Sequence, residues 1–85
     1  MSSSRYRFVL EQYAFEQFAN LQEADGDLLA SFFVWLAGRP FDTSDYKVAD
    51  SDGRIHCGHL CGPYVVVAWT DHAAKEVRIV QIIKD

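Results

Sequence analysis

Eighty-five residues, 49% of them apolar and including six Phe, four Tyr and two Trp, can build one packed core but not two, since a chain this short buries only about 60–65% of its unfolded surface. That content excludes disorder over most of the chain and a core that depends on disulfides. A formal net charge of −4 excludes nucleic-acid binding by bulk electrostatics, although a local basic patch stays open.

Residues 1–4 are Ser-rich and expected to be disordered; with no apolar h-region they are not read as a secretory signal. Residues 5–10, "RYRFVL", set Arg5, Arg7 and Val9 against Tyr6, Phe8 and Leu10, the period-two pattern of a strand with one buried face. From Glu11 the period changes. Ala14, Phe15, Phe18, Ala19 and Leu21 follow helical spacing with Glu11, Gln12, Glu16 and Gln17 opposite, which predicts an amphipathic helix of about three turns. "ADGDLL" predicts a break, with Gly26 ending one helix and Asp25 or Asp27 capping the next.

The second helix is expected to run to about Ala37. Its apolar residues surround the axis, so Phe33, Val34 and Trp35 are candidates for contact with a partner; alternatively, Val34 and Trp35 merely cover a neighbouring loop. Residues 28–37 have roughly half the length of a membrane span, so no membrane contact is expected and the protein is read as soluble and cytoplasmic.

Residues 41–52 are acidic and turn-rich, with at most a short extended piece at 46–49. Three strands follow, at 54–60, 64–69 and 76–83, joined by turns at "CGP" and "TDHAAK". In the last, Val77, Ile79 and Gln81 are expected on one face and Arg78, Val80 and Ile82 on the other. The fold class is α+β: an N-terminal strand, a two-helix hairpin and a three-stranded antiparallel meander (β-α-α-β-β-β), in a single domain over residues 5–85.

"HCGHLC", residues 56–61, gathers both cysteines and two of the three histidines. On a strand Cys57, His59 and Cys61 share a face; the two Cα atoms lie about 13 Å apart, beyond the roughly 7 Å reach of a disulfide. Two ligands at i and i+2 can share a metal ion, but no second pair completes a site, so neither a metal nor a cofactor is expected and the cysteines read as small apolar side chains. Facing the helices, His59 needs a hydrogen-bond partner; facing outward, the three would line the open sheet. Asp71 and His72 are either an acid–base pair or simply part of a turn.

The opening "YRFVLEQYAFEQFANL" and the closing "GRIHCGHLCGPYVVVAWTDHAAKEVRIVQI" together resemble the RelE/ParE superfamily of toxins from bacterial toxin–antitoxin systems, over residues 5–83. The resemblance implies a small toxin neutralised by an antitoxin and acting on messenger RNA at the ribosome or, in the ParE branch, on DNA gyrase. RelE-like ribonucleases use no metal; Arg and Lys on the sheet neutralise the scissile phosphate while a Tyr, His or Glu moves the 2′-OH proton. Carried onto this chain, Arg54 and Arg78 fit the cationic positions and His56, His59 and Tyr64 the proton-transfer positions, each with a structural role as the alternative. Arg5 and Arg7 could hold a phosphate or an antitoxin carboxylate, or simply occupy an exposed face. The chain lacks the strongly basic composition of a ribosome-dependent nuclease. The leading expectation is therefore a toxin-like protein that works by binding an antitoxin and a cellular target; a metal-independent mRNA endoribonuclease and a non-toxic homodimer are the alternatives.

Overall fold

The structure is a computed structural model that describes residues 5–41, 44–49 and 52–84, so the expectation of disorder at 1–4 and part of the acidic stretch lie outside the described residues. Its elements are β1 (Arg7–Leu10), α1 (Gln12–Ala19), α2 (Glu23–Ala37), β2 (Tyr46–Ala49), β3 (Ile55–Cys61), β4 (Tyr64–Asp71) and β5 (Glu76–Lys84). They form one five-stranded sheet in the order β1-β5-β4-β3-β2. The expected meander is present as β3, β4 and β5, and the short piece at Tyr46–Ala49 lengthens it to four antiparallel strands. β1 adds to its far edge in parallel with β5, Arg7 opposite Glu76 and Leu10 opposite Ile79. The sheet is thus mixed. The helical hairpin supplies the long crossover that a parallel pair needs.

Two helix boundaries differ from expectation. α1 has eight residues, little more than two turns, and ends where the Asn20 side chain donates back to the Glu16 carbonyl at 3.0 Å. α2 begins at Glu23 and carries Gly26 within it, the Gly26 N–H donating to the Gln22 carbonyl at 2.9 Å. Glu23 and Asp25 in its first turn complement the helix dipole without capping it. The carboxylate of Asp25 instead accepts the Tyr64 hydroxyl at 2.7 Å, tying α2 to β4.

Both helices lie on one side of the sheet, where Ala14, Leu29, Phe33 and Leu36 meet Cys61, Tyr64, Val66, Ala68, Val77, Ile79 and Ile82. Phe33 is 0% exposed, its ring 5.5 Å from Phe8 and 5.8 Å from Phe18. The expectation that it meets a partner is therefore corrected: packed at the centre of the core, it presents no surface. Ile82 also changes sides. Val67 pairs with Gln81 and Ala68 with Ile79, so Val80 is an extra residue, a bulge that returns Ile82 to the face of Val77 and Ile79. Period-two alternation cannot register such an insertion.

Beyond Ile79, no strand lies beside β5 on the β1 side among the described residues. Gln17 of α1 takes that place, its amide nitrogen donating to the Ile82 carbonyl at 2.6 Å and its oxygen accepting the Ile82 N–H at 2.7 Å. One side chain thereby satisfies both backbone groups of an edge that would otherwise invite strand pairing.

Candidate functional site

The sheet face away from the helices carries rows of paired residues: Leu60, Val65 and Ile83; Gly58, Val67 and Gln81; Trp69, Arg78 and Val9; Asp71, Glu76 and Arg7. Its apolar and charged rows are segregated along the strands. At the charged end two guanidinium groups lie against the Trp69 indole, Arg54 at 5.1 Å and Arg78 at 6.0 Å from the ring centroid. Such contacts orient cations on an aromatic surface.

Arg78 is already engaged by carboxylates. Its Nε donates to Glu11 at 2.9 Å and its Nη1 to Glu76 at 2.7 Å, while the other oxygen of Glu76 accepts Arg7 Nη2 at 2.8 Å. Arg7, Glu76, Arg78 and Glu11 thus form a chain of alternating charge with no net excess. The Glu11 hydrogen bond, followed by that of Glu76, pushes the Arg78 pKa above its ordinary value despite partial desolvation.

A second feature lies at the sheet edge. Arg5, Tyr6, Arg7 and Phe8 on one side and Val34, Ala37, Gly38 and Pro40 on the other enclose a groove of about 640 Å³. The N–H groups of Arg7 and Glu11 point to β5, donating to Lys75 and Ile79 carbonyls at 3.1 and 2.9 Å. Alternation therefore puts the Phe8 and Leu10 amides on the outer edge of β1. Val34 is 63% exposed beside it.

No protein-family model and no curated protein matches this chain. Solved structures do. The RelBE2 toxin–antitoxin complex of Mycobacterium tuberculosis superposes with a TM-score of 0.79 at 13% identity, covering 95% of this chain and 99% of the matched one. The archaeal RelE–RelB complex of Pyrococcus horikoshii OT3 gives 0.73 at 16% identity and 94% of each chain. The intact E. coli RelBE toxin–antitoxin complex gives 0.62 at 17% identity, with 94% and 96% covered. This chain has a RelE-like fold.

Within the RelE-like fold, the five residues that the resemblance offers for catalysis lie on two faces. Arg54, His56 and Arg78 belong to the open face, whereas His59 and Tyr64 are on the helix side. The His59 ring lies 6.3 Å from Phe32, edge-on. The Tyr64 hydroxyl donates to Asp25, and that bond, with burial, raises its pKa. His72 is not paired with Asp71: its Nδ1 meets the Tyr6 hydroxyl at 2.9 Å and its ring stacks on Phe41 at 4.8 Å, while Asp71 accepts the Ala74 N–H at 3.1 Å. "TDHAAK" is therefore a turn.

Cys57, His59 and Cys61 share the helix side, and both cysteines are free thiols; burial pushes the Cys61 thiol up. No three His, Cys, Asp or Glu side chains converge on a metal position among the described residues, and no described helix is long and apolar enough to cross a membrane. Sequence reasoning overlooked Trp69, Glu11 and Glu76. Glu76 and Arg78 stand two apart on one strand, a same-face pair that alternation could have found; Glu11 comes near only through the parallel pairing of β1.

Proposed function

We propose that this chain is the toxin-like member of a toxin–antitoxin pair in the cytoplasm, acting through protein–protein binding, with the groove between β1 and α2 as the antitoxin's seat. The observation that carries this reading is exposed Val34 beside the outer edge of β1, with Arg5 and Arg7 on the same groove. An extended acidic segment with an apolar anchor suits that combination: backbone bonds to Phe8 and Leu10, a side chain against Val34, carboxylates toward the arginines. Two of the structural neighbours are described as toxin–antitoxin complexes and the third as a RelE–RelB complex, which supports such a partner. Trp35, stacked on Phe32 at 5.6 Å with Arg39 5.0 Å above its ring, extends the exposed surface of α2.

The test is co-purification with the product of the adjacent gene. Wild-type chain should retain that protein and Val34→Asp should release it; no association, or equal retention by Val34→Asp, overturns the reading. A second reading, mRNA cleavage on the open face, is favoured by Arg54 and Arg78 beside the Trp69 indole. The carboxylates on Arg78 oppose it. Growth arrest with mRNA cleavage, both abolished by Arg54→Ala with Arg78→Ala, would select the enzyme; arrest that survives both changes would exclude it. A homodimer would show as twice the chain mass in sedimentation without any partner.

A further inference from the structure

A second cavity lies on the helix side of the sheet, bordering the β1 groove at Pro40 and reaching Trp69 at its other margin. The helices pack across β1 and β5, so the helix-side flank of β2 and β3 is left to the C-terminal end of α2. Between them is a space of about 300 Å³. Leu36, Ala68 and Val77, all nearly inaccessible, provide apolar lining; Lys47, Cys57 and Thr70 contribute polar groups from three adjacent strands. Lys47 stands directly across from Cys57, and Cys57 across from Ala68, so ammonium, thiol and apolar lining come from one row of the sheet. The His72 ring also lines the space, tethered through Nδ1 to Tyr6. Its lining includes the Lys47 ammonium and the His72 ring, with no Asp or Glu among the described lining residues.

We propose that this cavity binds a small organic anion, a carboxylate or phosphate monoester on a compact apolar body. Apolar side chains beside a few polar groups make up a small-molecule site; here polar and apolar lining are mixed, and the volume lies at the small end of that class. Lys47 supplies the charge that selects an anion, as a mobile ammonium rather than a fixed fork. Thr70 supplies a hydroxyl, and Leu36 and Val77 exclude water from the ligand body. The proposal does not rest on the toxin reading: the lining shares Pro40 with the groove and Trp69 with the open face, but neither Val34 nor Arg78.

Cys57 reports on the site, because it lines the cavity while Cys61 is buried in the core. The experiment measures the rate of Cys57 alkylation by iodoacetamide, by mass spectrometry, in the presence of benzoate, phenyl phosphate, inorganic phosphate or benzyl alcohol. Benzoate or phenyl phosphate at millimolar concentration should slow alkylation at least threefold; which of them acts better identifies the headgroup. Benzyl alcohol should not protect, and Lys47→Gln should abolish protection while Lys47→Arg retains it, with circular dichroism verifying that each variant is folded. The proposal is overturned if neither organic anion protects, if benzyl alcohol protects equally, if inorganic phosphate alone protects as well, or if Lys47→Gln keeps full protection. If Lys47→Gln does not fold, Thr70→Val takes its place, and undiminished protection in that variant overturns the site.

Discussion

Arg78 on β5 donates through Nε to the Glu11 carboxylate at the start of α1, 2.9 Å away, and so joins the last strand to the first helix across 67 residues of sequence. Glu76 takes Nη1 of the same guanidinium. An arginine held by two carboxylates offers a polyanion less than its formal charge. Glu11→Gln with Glu76→Gln should therefore turn the Trp69 surface from anion-indifferent to anion-binding. Heparin chromatography at low salt measures this: the wild type should pass through and the double variant be retained, in a salt-dependent way. Equal elution of the two would show that the carboxylates do not mask Arg78.

Phe33 and Val34 are neighbours with opposite roles, one inaccessible and the other 63% exposed. Truncating Phe33 to Ala removes a ring from the core and should cost about 3–5 kcal/mol. Val34→Ala, on the surface, should stay within about 0.5 kcal/mol. Urea unfolding checks both; similar midpoints for the two variants would contradict the packing described.

Much of this architecture was legible because period-two and helical spacing each hold over long stretches: the strand–helix–helix–strand order and the shared side of Cys57, His59 and Cys61 follow from alternation alone. Three features lay beyond it. The bulge at Val80 shifts alternation by one residue without a glycine or proline to mark it. The parallel pairing of β1 with β5 is a long-range contact that no local pattern encodes. Which sheet face the helices cover, and so whether Arg54, His56 and Arg78 or His59 and Tyr64 stay on the open side, is set by tertiary packing rather than by alternation. Asp25 shows the remaining limit: a residue type suited to a cap was spent on the Tyr64 hydroxyl instead.

Two turn glycines separate backbone strain from side-chain crowding. Gly53 has φ +80° with no described atom within 4 Å of where a Cβ would lie, whereas Gly62, φ +58°, would bring its Cβ to 3.2 Å from Leu28 Cδ2. Replacement by Ala costs about 1–2 kcal/mol at either position for the left-handed backbone. At Gly62 the Leu28 side chain must also shift, so Gly62→Ala should have the lower denaturation midpoint of the two. Equal midpoints would mean that Leu28 yields without cost.

The Tyr64 hydroxyl makes alkaline stability a test of the α2–β4 tether. Its pKa is raised above 10.0 by the hydrogen bond to Asp25 first, then by burial and by the Asp25 charge. A group whose folded pKa is raised holds its proton more tightly in the folded state. Its contribution is therefore fully present below the unfolded value near 10.0 and declines as pH rises through the folded one. Thermal melts between pH 8 and about pH 11 should show the wild type losing more of its melting temperature than Tyr64→Phe, which has no phenolic proton to lose. Parallel losses in the two proteins would show that the Asp25 bond contributes nothing to the alkaline limb.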